Sequence, residues 1–96
     1  MKIRDLRSGM RSVNVTGKIV EISPPREVRS RYGNTTHRVA TATLQDDTGT
    51  IKLALWNKQI DEVNVNDTIQ IENGYVTSFR GEIQLNVGKY GKLSVV

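Results

Sequence analysis

From Asn73 to Leu85 the chain reads NGYVTSFRGEIQL. Two runs of β-forming residues flank Arg80-Gly81, the composition of a hairpin with a tight turn. The face taken by Tyr75 and Phe79 depends on the residues upstream. Strict alternation from Ile69 and Ile71 carries Asn73, Tyr75, Thr77 and Phe79 inward and makes both rings part of a core. It also buries Asn73 and Thr77, at a cost of roughly 1–3 kcal/mol each if unpaired. One extra residue at Asn73–Gly74 reverses the parity, so that Val76 faces in and Tyr75, Thr77 and Phe79 face out. The polar neighbours favour this second register, and Gly74 is a residue that tolerates a bulge.

Working outward, similar β-patterned runs recur between turn signals. In Ser12–Ser23 (SVNVTGKIVEIS), Val13 and Val15 share one parity and Val20 and Ile22 the other. The switch is expected beside Gly17, where a bent strand could serve two sheets. Pro24–Thr36 reads as a loop opened by prolines. A second strand is expected over His37–Asp46 and a turn at Asp46–Gly49 (DDTG). A third strand, Thr50–Trp56, sets Ile51, Leu53 and Leu55 inward and Lys52, Ala54 and Trp56 outward. Asn57–Asp67 breaks the alternation, and Ile60 and Val63 fit a short helix. The hairpin follows, with Ile83, Leu85 and Val87 inward, and then a last short strand. Ile3, Leu6 and Met10 are spaced to plug one end. These features predict an all-β domain over residues 1–96, a five-stranded OB-fold barrel with a short helix between strands three and four and residues 1–11 as a cap. A small sandwich is the alternative.

Fourteen Lys and Arg against ten Asp and Glu leave a net charge of +4, which makes an anionic partner the first to consider. Cysteine is absent, and one histidine, His37, cannot build a metal site alone, so no metal or cofactor is expected. No apolar run approaches the roughly 20 residues of a membrane span. A soluble, cytoplasmic, nucleoid-associated and monomeric domain is the expectation. Outward Tyr75 and Phe79 would join Trp56 on one exposed face, an arrangement suited to stacking on unpaired bases.

SVNVTGKIVEIS, LQDDTGTIKLALWNKQ and IENGYVTSFRGEIQLNVG resemble the archaeal single-stranded DNA-binding proteins of the simple, single-OB type. They also resemble OB domains of archaeal replication protein A and their human relatives in the DNA-damage sensor complex. The likeness covers Ile3 to Val95. It rests on D-x-T-G-x-I-x-L-x-L-W followed by I-E-N-x-[aromatic]-x-x-x-F-x-G-x-x-Q-L. It implies sequence-tolerant binding of single-stranded DNA in replication, recombination or repair, with Trp56, Tyr75 and Phe79 as the stacking rings and replication or repair proteins as further partners. Two departures stand out. Position 75 is often tryptophan in the family, and the flexible acidic tail of many members does not appear before Val96. A trimmed chain, or one module of a larger one, is the expectation.

Phosphate contacts are expected from the loop between strands one and two, through Arg26, Arg29, Arg31 and Arg38, with Tyr32 adding a stack. Lys52, Arg80 and Lys89 complete the set. Lys2, Arg4, Arg7 and Arg11 are expected to lie away from the groove. Asp46 and Asp47 read as turn chemistry, and no nucleophile–base set or phosphate-cradling glycine loop is present, which speaks against an enzyme. An RNA-binding OB module and a protein-interaction OB domain remain as alternatives.

Overall fold

The computed structural model describes residues 1–29, 33, 35–88 and 90–96. Alternation of apolar residues produces strands β1 (Val13–Ile22), β3 (Thr36–Asp46) and β4 (Gly49–Trp56), and a short β2 (Arg26–Arg29) lies between β1 and β3 in the chain. A five-residue helix, α1 (Lys58–Glu62), leads to β5 (Thr68–Phe79), β6 (Glu82–Asn86) and β7 (Lys92–Val95). The strand order β1-β3-β4-β6-β5 closes on itself through β1–β5 pairing, giving a ring of five strands. β2 extends the ring beside β3, and β7 beside β5. β4 and β6 run parallel, while the other described pairings are antiparallel. This is the OB-fold topology.

The inward positions fill the ring. Ile19, Leu44, Leu53, Leu55, Ile69, Ile71 and Leu85 are fully buried. Ile3 and Leu6, around a single 3₁₀ turn (Ile3–Asp5), join the same core, as does Val63 just after α1. Asp46 ties this N-terminal plug to the β3–β4 turn. Its Oδ2 accepts from the Ile3 amide at 2.9 Å, and its Oδ1 accepts from the amides of Thr48 and Gly49 and from the Thr48 hydroxyl. Partial desolvation raises the Asp46 pKa, but these hydrogen bonds outweigh it and hold the carboxyl at about 2, below the ordinary 3.8.

β1 pairs with β5 from Val13 to Lys18 and with β3 from Lys18 to Ile22, so one strand serves both halves of the ring. Gly17 lies at the changeover. A Cβ there would stand 2.9 Å from the Gln45 carbonyl oxygen and from Leu44 Cγ. The parity switch is elsewhere, however. Val13, Val15, Gly17 and Ile19 are all buried, and the register shifts between Ile19 and Glu21, leaving Val20 exposed. Glycine marks the close approach, and the bulge follows it.

Two further expectations change or gain detail. The segment read as a loop over Pro24–Thr36 contains β2, which pairs Arg26 with Val39 through to Arg29 with Thr36. All four of its residues are exposed, so backbone pairing rather than an apolar period holds it. On β5 the bulge is present. Val15 pairs with Ile71 and Val13 with Gly74, placing one extra residue on β5. Asn73 takes the left-handed conformation (φ 56°), while Gly74 is the close approach, where a Cβ would stand 2.9 Å from the Asn86 carbonyl oxygen. Gly74 and Val76 are buried, and Tyr75, Thr77 and Phe79 are exposed.

Two stability outcomes follow from these contacts. Gly74→Ala forces Cβ against β6 backbone and should cost about 1–3 kcal/mol in denaturant unfolding. Because folding depresses the Asp46 pKa, its contribution is complete above about pH 3.8 and is lost as pH falls toward 2. Asp46→Ala should therefore lower stability at pH 7 by about 1–3 kcal/mol and flatten the acid limb in that window, as read by thermal melts across pH.

Candidate functional site

The outward residues of four adjacent strands form one continuous face. Residues directly opposite in neighbouring strands share a face, so pairing fixes the layout. One row runs Thr41, Ala54, Asn86, Tyr75, and the next runs Thr43, Lys52, Gln84, Thr77. Phe79 and Glu82 pair at the end of the β5–β6 hairpin. Trp56 follows Ala54 two residues on along β4, with Val39 opposite. The floor between the rings is made of small or polar side chains, Ala54 among them at 2% exposure.

Three rings stand above this floor. Trp56 and Tyr75 are each 40% exposed and Phe79 is 62% exposed. Trp56 and Tyr75 border a common hollow with Lys58, Gln59 and Gly88. Phe79 lies four residues beyond Tyr75, about 13 Å along the strand. The Phe79 hollow is lined by Arg26, Thr41, Lys52, Glu82 and Gln84.

Backbone conformation sets each ring. Arg80 (φ 52°) and Gly81 (φ 82°) are both left-handed, as a two-residue type I′ hairpin requires. This turn brings the Arg80 guanidinium 5.2 Å from the Phe79 ring centroid. Gly88 sets Tyr75, since a Cβ at Gly88 would stand 2.9 Å from Tyr75 Cε1. The Trp56 amide donates to Gln59 Oε1 at 3.0 Å, tying the end of β4 to α1.

The expected cations divide between two sides. Arg26 lies opposite Val39, which lies opposite Trp56, so it belongs to the aromatic face. Lys52 Nζ donates to Thr43 Oγ1 at 3.1 Å and forms no ion pair among the described residues. Arg80 stands at the hairpin tip. Arg29 and Arg38 occupy the other parity of the β2–β3 hairpin, facing away. The Arg38 guanidinium bonds Asp61 at 2.8 Å, and that hydrogen bond and charge raise its pKa. Arg31, Tyr32 and Lys89 lie outside the described residues. Arg11, expected far from the groove, instead shares a hollow with Tyr75 and Tyr90. The reason is long-range. The Gly9 amide donates to the Val76 carbonyl and the Val76 amide to the Met10 carbonyl, which lays the N-terminal segment along β5.

His37 Nδ1 lies 3.2 Å from the Asn57 side-chain amide. Among the described residues there is no group of three or more His, Asp or Glu placed to hold a metal, and no polar or charged side chain is buried. No helix is long and apolar enough to cross a membrane among the described residues. A five-strand ring presenting an open face with three exposed rings, beside cations that form no ion pair among the described residues, defines an OB-fold domain.

The family model described as single-stranded DNA binding protein Ssb-like, OB fold, matches residues 6–95, and the chain belongs to that family. It is 36% identical over 93 residues to the single-stranded DNA binding protein Ssb of Saccharolobus solfataricus, covering 97% of this chain and 62% of that protein. It is 32% identical over 98 residues to replication factor A of Methanothermobacter thermautotrophicus, covering 96% of this chain and 12% of that protein. Among solved structures, the OB domain of Ta0387 from Thermoplasma acidophilum superposes with a TM-score of 0.84 at 32% identity, covering all of this chain and 85% of that one. The chain thus spans less than two thirds of both relatives compared by sequence.

Gly88→Ala tests how the Tyr75 ring is set. The added methyl should displace the ring, seen as shifted Tyr75 ring resonances in NMR spectra, while the melting temperature changes little because the ring is half exposed. Unshifted ring resonances would show that Gly88 does not position it.

Proposed function

We propose that this domain binds single-stranded DNA with little sequence preference, in replication, recombination or repair. Bases stack on Trp56, Tyr75 and Phe79, while Arg26, Lys52 and Arg80 contact phosphates. The observation that carries this reading is the presence of three exposed rings on one rigid sheet face with these cations among them. Every base has a π-face, so stacking is sequence-tolerant and contributes about 1–3 kcal/mol per base. Duplex DNA hides those faces, so a ring-bearing sheet favours unpaired strands. Membership in the Ssb-like family supports the same ligand class.

The test uses Trp56, the one tryptophan of the chain, as reporter. Oligo-dT should quench its fluorescence strongly and duplex of equal length weakly. The log of the affinity should fall with log salt by about 0.7 for each phosphate neutralised. Trp56→Ala and Phe79→Ala, followed by anisotropy of labelled oligo-dT, should each weaken binding by about 1–3 kcal/mol while the domain stays folded. Unfolding of Phe79→Ala would return that ring to the core, and tighter binding of matched RNA would reassign the ligand.

A further inference from the structure

Tyr75 stands between two hollows. One contains Trp56 and belongs to the face described above. The other, beyond Tyr75, is lined by Arg11, Asn73, Gly74, Gly88 and Tyr90, and no function has been given to it. Tyr75 and Gly88 line both, so the two hollows adjoin at the Tyr75 ring. We propose that the second hollow is a further nucleotide subsite, in which the same single strand continues past Tyr75, stacks a base on Tyr90 and sets a phosphate against Arg11. This inference rests on the single-strand reading above and extends its track.

Three observations support it. Tyr90 is 82% exposed, more than any of the other described aromatic rings, and the Asn73 side-chain amide donates to its carbonyl at 3.3 Å, fixing its backbone to the β5 bulge. Two of the other N-terminal cations, Lys2 and Arg7, differ from Arg11. Lys2 is paired with Asp47 at 3.1 Å, and the Arg7 guanidinium donates to the carbonyls of Arg4 and Leu6. Arg11 makes no ion pair among the described residues and lines the hollow itself. Gly74 and Gly88 line the hollow as well, and neither carries a side chain that could fill it. An anionic polymer with planar groups, already seated on Tyr75, matches an aromatic ring and a cation placed in continuation.

The test is an oligo-dT length series spanning about 4 to 16 nucleotides, bound to the wild-type chain, Tyr90→Ala and Arg11→Ala. Both substitutions are at exposed positions, and circular dichroism melts check that the variants fold. The wild type should gain affinity with length in a step that both variants lack. Tyr90→Ala should lose about tenfold on the longest oligonucleotides and less than about twofold on the shortest, within the range of one stacking contact. Arg11→Ala should make the salt dependence shallower by about 0.7 on long oligonucleotides alone. Equal losses at every length, or none, would overturn the subsite while leaving single-strand binding intact. Failure of the wild type to bind oligo-dT of any length would instead remove the function on which the subsite rests.

Discussion

The extra residue on β5 governs the arrangement of the molecule. Asn73 accepts a left-handed backbone, and its amide is held by Asn14 Oδ1 at 3.0 Å. Before it, Ile69 and Ile71 fill the ring, and after it, Val76 does. Without the insertion every residue from Asn73 to Phe79 would change face. The core would then hold two aromatic rings and Thr77, Val76 would face solvent, and the outer sheet would lose two of its three rings. A single left-handed residue thus links the hydrophobic core to the aromatic face. Asparagine is among the non-glycine residues that best tolerate that conformation.

The same bulge brings the strand edges together. Gly74 must approach the Asn86 carbonyl closely, which keeps β6 tight against β5 and places Asn86 beside Tyr75. The rings therefore rise from hydrogen-bonded strands rather than from loops. A surface of this kind would lose little conformational entropy in the proposed stacking, which would need no folding step. The cations sit differently. Arg80 is at a hairpin tip and Arg26 on the outer strand β2, where long side chains can follow a flexible phosphate backbone.

Much of this was legible in the sequence wherever one face is buried. Ile51–Leu53–Leu55 alternates cleanly because its other face meets solvent or the small Ala54, while in β6 Leu85 is fully buried and Ile83 half-buried. The β5 register was undecided by alternation, since both parities offered apolar residues, and the polar company of Asn73 and Thr77 tipped the balance. Other features were hidden for physical reasons. β2 has no apolar period because neither of its faces is buried. The parity switch of β1 falls at Val20 rather than Gly17 because the register against β3 shifts between Ile19 and Glu21, and a shift set by pairing with a distant strand is not local. Arg11 reaches Tyr75 only because residues 9 and 10 pair with Val76, more than 60 positions away in the chain.

The modest net charge of +4 understates the electrostatic asymmetry of the surface. The two ion pairs among the described residues, Lys2–Asp47 and Arg38–Asp61, both lie off the aromatic face, at the plug and at α1. They neutralise cations where no strand is proposed to run. Among the described residues Lys52 and Arg26 form no ion pair, and Glu82 is the one carboxylate lining the Phe79 hollow beside them. Summed over the chain, the acids offset most of the bases, yet on this face the balance is positive. Position therefore matters more than the total, because exposed charges more than about 10 Å apart are largely screened at moderate salt. A phosphate backbone laid across β4, β6 and β5 would sense the local cations far more than the acids at Asp47 and Asp61.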